Sequence, residues 1–541
     1  MCGIAGCFGV RDEKTINRML DALPHRGPND RGIHTFDNTV FGHTRLSIVD
    51  VAKGHQPILA NNGRAGIICN GEIYNFRYLR DKLVSKYDFQ TDSDTEVILH
   101  LYQEKGPECV TELDGMFAFA IYDGNNYMLA RDPIGIKPLY YGYVGDKLYF
   151  TSELGAMTLA GVDEVHEFPA GHYYTPKTGF VQYYIIPSIQ DHVLVDVEET
   201  CKVIRETFIR AVKKRLLADK EIHVGSFCSG GIDSSLVAAI AADEIPNLHT
   251  FVVGMKDASG DPSDDVKASR IAAEHIGSTH HELIFTEEEY YDALPIVIKK
   301  LESYDPSLVR CAVPCYFTCK CAADYVTVVL TGEGADELFT GYHYMKNYPM
   351  HLLNQEDRRC IGNLHNINLQ RADRMGMYFS LELRVPFLDV AMVDLSMRIP
   401  SELKIRESEK VGDRIEKWIL RHAFQDTNYL PDDILWRYKV QYTQGAGCES
   451  LGETLAEKEV SEDEFQRIKA ENPKAVINSR EAAYYFKIFR QFHPQDSILG
   501  SIGIWTGFDF AEEREKVRGT VDGDLKHSRE GQEEQEHSKV A

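Results

Sequence analysis

The chain has 541 residues, of which 43% are apolar, and a formal net charge of −24. That length exceeds what one hydrophobic core fills, so at least two domains are expected, and the acidic balance excludes a nucleic-acid backbone or an anionic membrane as main partner, because both need a basic face. No apolar run approaches the roughly 18 residues of a membrane span and Met1 to Val10 lacks a basic flank, so a cytoplasmic protein with its twelve cysteines as free thiols is expected.

The amino terminus reads Met1-Cys2-Gly3-Ile4-Ala5-Gly6. Removal of Met1 would leave Cys2 with a free α-amine beside its thiol, a pairing in which the amine can act as base toward its own side chain. His25-Arg26-Gly27-Pro28 is a turn carrying a cation, and Gly42 to Asp50 is a strand-like run carrying Arg45. Cys69-Asn70-Gly71-Glu72 reads as a strand entering an Asn-Gly turn, and Ser93-Asp94-Thr95-Glu96 as a helix start capped by Ser93 or Asp94. Met128 to Glu153 alternates as strands do around Arg131-Asp132-Pro133. A linker is expected over residues 185–200, then an amphipathic helix from Glu198 to Leu217 with Val203, Ile204, Phe208 and Val212 on one side.

From Glu221 the pattern changes. Ile222 to Phe227 is a β-rich apolar run that breaks at Ser229-Gly230-Gly231 and resumes from Ser234 as an alanine-rich helix. Two glycines allow close backbone approach to a ligand, while Ser229, Ser234, Ser235 and the first helical N–H groups offer donors to an anion. No Gly-Lys-Ser/Thr follows, which disfavours a Walker loop. His249 to Gly254 is a second strand and Tyr325 to Leu330 a third, ending in Thr331-Gly332-Glu333-Gly334-Ala335-Asp336. Alternating strands and helices predict a parallel sheet with ligands at the carboxyl ends of its strands. His280 and His281 are adjacent on a strand and point to opposite faces, which speaks against a metal role. Cys311, Cys315 and Cys319 fall at helical spacing with Cys321 beyond, a pattern of small buried residues rather than of a metal site. Arg414 to Arg421 reads as helical, and residues beyond about Ala511 are too polar to bury a core, so 511–541 is expected to be a disordered tail.

In this order, Cys2-Gly3-Ile4, H-R-G-P, R-L-S-I-V-D, N-G-E-I-Y-N and S-D-T-E resemble the class II glutamine amidotransferase domain, and S-G-G-I-D-S-S resembles the pyrophosphate loop of the ATP pyrophosphatases. The succession of the two is that of the glutamine-hydrolysing asparagine synthetase family. The resemblance implies an α+β N-terminal nucleophile αββα sandwich over residues 2–190, followed by an α/β parallel-sheet ATP pyrophosphatase domain over 200–510. It implies ATP-dependent amidation of aspartate through aspartyl-AMP, with ammonia taken from glutamine. Cys2 would be the nucleophile, Asn70 and Gly71 the oxyanion donors, and Arg45 the clamp on the glutamine α-carboxylate. Asp94 and Glu72 would receive the α-ammonium, and Leu46, Ser47, Ile48 and Val49 would line the pocket.

For ATP the resemblance implies Cys228, Ser229, Gly230, Gly231, Asp233, Ser234, Ser235, Val253, Thr331 and Gly332. Asp233 and Asp336 would hold Mg2+, Glu333 would serve adenylate formation and ammonia attack, and Lys439 would stabilise charge on the phosphates. A dry passage lined by apolar and small residues would carry ammonia between the centres. The partners implied are glutamine, ATP and aspartate, and a homodimer is left open. The chain departs from the usual run at Val440 and Gln444, where the family carries Glu and Asp, and at Asn29, Thr331 and Cys228. The first two keep a second acceptor carboxylate open as an alternative, and a catalytically silent homologue is the reading from a different class.

Overall fold

In the computed structural model the described residues are 2–60, 63–124, 126–188 and 194–505. The expected tail at 511–541, Met1 and part of the expected linker, residues 189–193, lie outside them. Residues up to Gly503 form one compact unit, and of a second unit beginning at Ile504 only residues 504–505 are described.

The first part of the chain builds twelve strands among the described residues: β1 (Cys2–Phe8), β2 (Asp30–Thr35), β3 (Thr39–Arg45), β4 (Ile58–Ala60), β5 (Ala65–Ile73), β6 (Gly115–Tyr122), β7 (Tyr127–Arg131), β8 (Tyr140–Val144), β9 (Lys147–Thr151), β10 (Val165–Glu167), β11 (His172–Thr175) and β12 (Gly179–Gln182). They form two antiparallel six-stranded sheets, β10-β8-β9-β1-β3-β2 and β12-β11-β7-β6-β5-β4. The core between them joins Ile4, Phe8, Phe41 and Phe150 of one sheet to Ile68, Ala118, Ala120 and Leu129 of the other. Helices cover the outer faces. Glu13–Asp21 sets Ile16 and Leu20 so close to β3 that a Cβ on Gly42 would lie 2.8 Å from each. Helix α1 (Glu96–Lys105) packs Val97, Ile98 and Leu101 with Ile67, Phe117 and Phe119 of the second sheet. Burial on both faces explains why β1 and β6 read as nearly continuous apolar runs instead of alternating ones.

Helix α2 (Val197–Lys214) follows the linker and buries Ile204, Phe208 and Val212, as its period predicts, with Val203 only partly covered. Five parallel strands come next: β13 (Val224–Phe227), β14 (His249–Gly254), β15 (Thr279–Ile284), β16 (Val328–Leu330) and β17 (Glu382–Arg384), in the order β15-β14-β13-β16-β17. The third expected strand is thus shorter than the apolar run from Tyr325, because only its last three residues pair. His280 and His281 do face apart: His280 meets Thr250 and Ser269, and His281 meets His249. The chain moves outward from β13 through β14 to β15, then returns to the other side of β13 as β16. That reversal opens a crevice at the carboxyl ends of β13 and β16, the place where open α/β sheets bind ligands. Helices α3 (Ile232–Ala242), α4 (Asp264–Ile276), α5 (Pro306–Ala323) and α6 (Asn368–Tyr378) pack against strands of this sheet. One buried apolar cluster holds Leu46, Ile48, Met116, Ile134 and Ile136 of the first part with Cys228, Val385 and Leu388 of the second.

Candidate functional site

The first centre lies where β1 of one sheet faces β5 of the other. Cys2 is 7% exposed, and its backbone N–H donates to Asn70 Oδ1 at 2.9 Å, across the two sheets. The amide nitrogen of Asn70 is buried with no partner among the described residues. A buried amide donor without an acceptor is costly, and a donor held rigidly beside a thiol suits an oxyanion forming on a substrate attacked by that thiol. Burial pushes the Cys2 thiol above its ordinary pKa. Gly71 follows in β5, where a Cβ would lie 2.2 Å from Met116 O, so no larger residue fits that strand pair.

Register places Arg45 of β3 directly opposite Cys2. Its guanidinium donates to the carbonyls of Val49 at 3.2 Å, Asp50 at 2.6 Å and Val51 at 3.2 Å. Three of the five N–H donors of a guanidinium are thereby committed, which fixes its plane and leaves two for a ligand carboxylate. Asn29, one of the departures from the family run, accepts the Ser47 N–H at 2.9 Å, a task that needs only an acceptor oxygen.

Asp94 does not cap α1. The N-cap is Thr95, and Asp94 Oδ2 instead accepts the Ile73 N–H of β5 at 2.8 Å, which carries a buried carboxylate into the pocket. Ser93 likewise bonds locally, accepting the Thr95 N–H at 3.2 Å and donating to Asp94 Oδ1 at 3.4 Å. Burial, with the negative charge of Glu382 nearby, raises Asp94 to about 6. Burial, Glu382 and Asp94 push Glu72 well above the usual carboxylate range. Arg384, fully buried in β17, lies 3.6 Å from Glu72 and donates to Glu382 at 2.6 Å. The wall behind Cys2 is therefore not wholly apolar, because the pocket's carboxylates require a buried cation.

The second centre occupies the crevice of the parallel sheet. After β13 the chain turns at Gly230, where φ is 74° and a Cβ would lie 2.4 Å from Ala268 of α4. Ser229 N–H donates to Ser234 Oγ at 3.0 Å, closing the loop onto the start of α3. Cys228 is fully buried beneath it, 3.7 Å from Ser235 Oγ, and Val253 lies near the end of β14. Gly332, in the loop after β16, approaches so closely that a Cβ would stand 2.8 Å from both Asp233 Cβ and Ser234 N. The loop's hydroxyls, glycines and helix N-terminus are the components of a phosphate cradle.

Two carboxylates face this cradle, and two lysines join them. Lys417 Nζ lies 2.5 Å from Asp233 Oδ2 and 2.6 Å from Asp336 Oδ1, and Lys439 Nζ lies 2.8 Å from Asp336 Oδ2. Burial opposes ionisation, yet Lys417 and Lys439 hold Asp336 well below the usual carboxylate range, while Asp336 and Asp233 hold the buried Lys439 above its own. Lys417 was hidden in the sequence because residues 414–421 read as one helix. The helix begins only at Trp418, and Lys417, at φ 56°, turns its side chain inward. Glu333 pairs with Arg371 of α6, and its N–H donates to Thr331 Oγ1 at 3.1 Å. Arg437, just before Lys439, bonds Asp265 at 3.0 Å and Ser229 O at 3.4 Å. Val440 lines a groove of about 650 Å3 with Asp264 and Lys267, and Gln444 is exposed.

Asp233 Oδ1 is buried without a hydrogen-bond partner among the described residues. Paired with Asp336 beside the cradle, that free oxygen fits a hard divalent cation, which takes carboxylate and phosphate oxygens.

Residues 1–184 match the family described as glutamine amidotransferase domain, and residues 203–359 and 350–476 match the family described as asparagine synthase. The chain is similar to the probable asparagine synthetase [glutamine-hydrolyzing] of Dictyostelium discoideum, at 38% identity over 93% of this chain and 96% of that protein. It is also similar to the probable asparagine synthetase [glutamine-hydrolyzing] of Schizosaccharomyces pombe, at 38% over 92% and 94%. Against asparagine synthetase B [glutamine-hydrolyzing] of Escherichia coli K12 the identity is 37% over 92% of each chain.

Proposed function

The chain belongs to the glutamine-hydrolysing asparagine synthetase family, and we propose that its reaction is divided between the Cys2 pocket of residues 2–190 and the crevice of residues 200–510. The protein is an ATP-dependent carbon–nitrogen ligase. It converts aspartate to asparagine through aspartyl-AMP with ammonia from glutamine, giving glutamate, AMP and pyrophosphate. The observation that carries the division is the pairing of an unpartnered buried Asn70 amide beside Cys2 with a glycine-bounded loop over Asp233 and Asp336.

At the first centre the Cys2 sulfur attacks the carboxamide carbon of glutamine. Asn70 Nδ2 donates to the oxygen as it gains charge, and Arg45 holds the α-carboxylate while Asp94 and Glu72 hold the α-ammonium. With Met1 removed, the α-amine of Cys2 takes the thiol proton and delivers it to the nitrogen as the C–N bond breaks, so ammonia departs, and water cleaves the thioester to glutamate and restores the thiol. At the second centre the β-carboxylate of aspartate attacks the α-phosphorus of ATP and pyrophosphate leaves. Lys439 and Lys417 neutralise charge that builds on the phosphate oxygens. Asp233 and Asp336 would hold Mg2+, whose contribution is to screen the triphosphate from these carboxylates. Glu333 is the base that takes a proton as ammonia displaces AMP. Ammonia that reached bulk water would become unreactive ammonium, and the apolar cluster from Leu46, Ile48 and Met116 to Cys228, Val385 and Leu388 supports a sheltered route.

Pyrophosphate release from ATP tests this reading. Aspartate should stimulate it strongly, and chelation of divalent cations should stop it while glutamine hydrolysis continues. Release that ignores aspartate, or glutaminase that fails on chelation, contradicts the division.

A further inference from the structure

The two centres share a mount. Helix α6 carries Arg371 and Asp373, two positions apart, which at 3.6 residues per turn places them on nearly opposite faces. Arg371, 5% exposed, pairs with Glu333 in the synthetase crevice. Asp373, 4% exposed, receives a two-pronged bond from Arg26, at 2.7 and 3.0 Å. The same fully buried guanidinium donates through Nε to the backbone carbonyl of Cys2 at 3.0 Å. A single planar cation thus spans a carboxylate of the helix and the main chain of the nucleophile, a geometry that a guanidinium supports and an ammonium does not.

The helix itself is held firmly. Arg374 donates to Glu302 at 3.0 Å and to Asp373 at 2.9 Å, and Glu302 accepts the Leu154 N–H at 2.9 Å. Gln370 donates to Leu301 O at 2.7 Å, and a Cβ on Gly376 would lie 2.4 Å from Leu383 Cδ1 of β17. A rigid element with one ionic arm toward each centre sets both positions at once.

We propose that Asp373 and Arg371 are positioning residues, Asp373 fixing Cys2 through Arg26 and Arg371 fixing Glu333, so that α6 keeps the two reacting groups in register. The proposal rests on the division of labour given above. Displacement of a reacting group by about an ångström costs roughly 10- to 100-fold in rate.

The experiment measures three activities on the full chain: glutaminase, ammonia-supported asparagine formation and aspartate-dependent pyrophosphate release. The wild type should make asparagine from both nitrogen sources; if it does not, the functional reading fails, independently of this proposal. Asp373→Asn should lower glutaminase kcat/KM roughly 10- to 100-fold and leave ammonia-supported synthesis within about threefold. Arg371→Gln should do the reverse, lowering ammonia-supported asparagine formation roughly 10- to 100-fold through kcat while glutaminase stays within about threefold, and Arg371→Lys should restore part of the rate. If Asp373→Asn does not fold, Asp373→Glu keeps the charge, shifts it by one methylene and should give the same split. Parallel loss of all activities in the folded variants, no recovery in Arg371→Lys, or full activity in either variant overturns the proposal.

Discussion

Asn70 meets Cys2 through its side-chain oxygen, which accepts the Cys2 backbone N–H at 2.9 Å, while its nitrogen is left buried with no partner among the described residues. That bond fixes the rotamer that aims the nitrogen. Asn70→Ala should therefore lower glutaminase kcat by about 100- to 1,000-fold, the usual effect of deleting one oxyanion donor. Ammonia-supported synthesis should be unchanged in the same preparation. A loss below about fivefold in steady-state glutaminase assays would remove Asn70 from the oxyanion site.

Asp94 provides a pH signature. Burial and the neighbouring Glu382 raise it to about 6, so its carboxylate takes up a proton as pH falls through that value and no longer attracts the α-ammonium of glutamine. The kcat/KM for glutamine should fall below pH of about 6, approaching tenfold per pH unit, since kcat/KM follows the free enzyme's ionisation. The ammonia-supported reaction should not share that limb. Asp94→Asn should flatten it at a low level, and an unaltered limb in Asp94→Asn would assign the ionisation elsewhere.

Lys417 neutralises Asp233 and Asp336 together, and it is fully buried. Lys417→Met leaves two carboxylates near a low-dielectric crevice with only Lys439 to pair them. Breaking such a pair costs about 3–5 kcal/mol, which should appear as a lower thermal unfolding midpoint and as loss of aspartate-dependent pyrophosphate release. Glutaminase in the folded fraction should persist. An unfolding midpoint equal to that of the wild type would show that the two acids do not depend on Lys417.

Gly332 is where the two phosphate-facing loops touch. A Cβ there would stand 2.8 Å from Asp233 Cβ and Ser234 N, a clash with main chain that only movement of the loops relieves. Gly332→Ala should raise the KM for ATP and cut pyrophosphate release at least tenfold, a change of about 1.4 kcal/mol. Fluorescent-nucleotide titration checks this directly, and wild-type affinity would mean that the loops part without consequence.

The contrast between these residues explains what a sequence reader can and cannot find. Cys2, the Ser229–Ser235 loop and Thr331–Asp336 announce themselves because their chemistry is local, with strand, glycines and donors packed into a few positions, while Asn70 reads by itself as an Asn-Gly turn and gains its role from the family resemblance. The parallel half is legible in the alternation of its strands and helices, whereas the antiparallel sandwich is expected only from the family resemblance, because strands buried on both faces, such as β1 and β6, do not alternate. Lys417 and Arg371 give no such signal, and Arg26 shows only as the cation of the H-R-G-P turn, with nothing to say which carboxylate it meets. Their partners lie 184, 38 and 347 residues away, and each sits in a stretch whose period fits an ordinary helix or turn. Asp94 misled in the opposite direction, since a residue suited to capping α1 is used to reach β5. The register of β1 with β3, which sets Arg45 opposite Cys2, depends on pairing that no periodicity specifies.

The central claim is that one chain holds a nitrogen-releasing centre at Cys2 and a separate amide-forming centre at Asp233, Glu333, Asp336 and Lys439. Asparagine formation by Cys2→Ala, measured side by side with glutamine and with ammonia as nitrogen source, tests it most directly. The account predicts no product from glutamine and wild-type rates from ammonia. Equal loss with both nitrogen sources would contradict it.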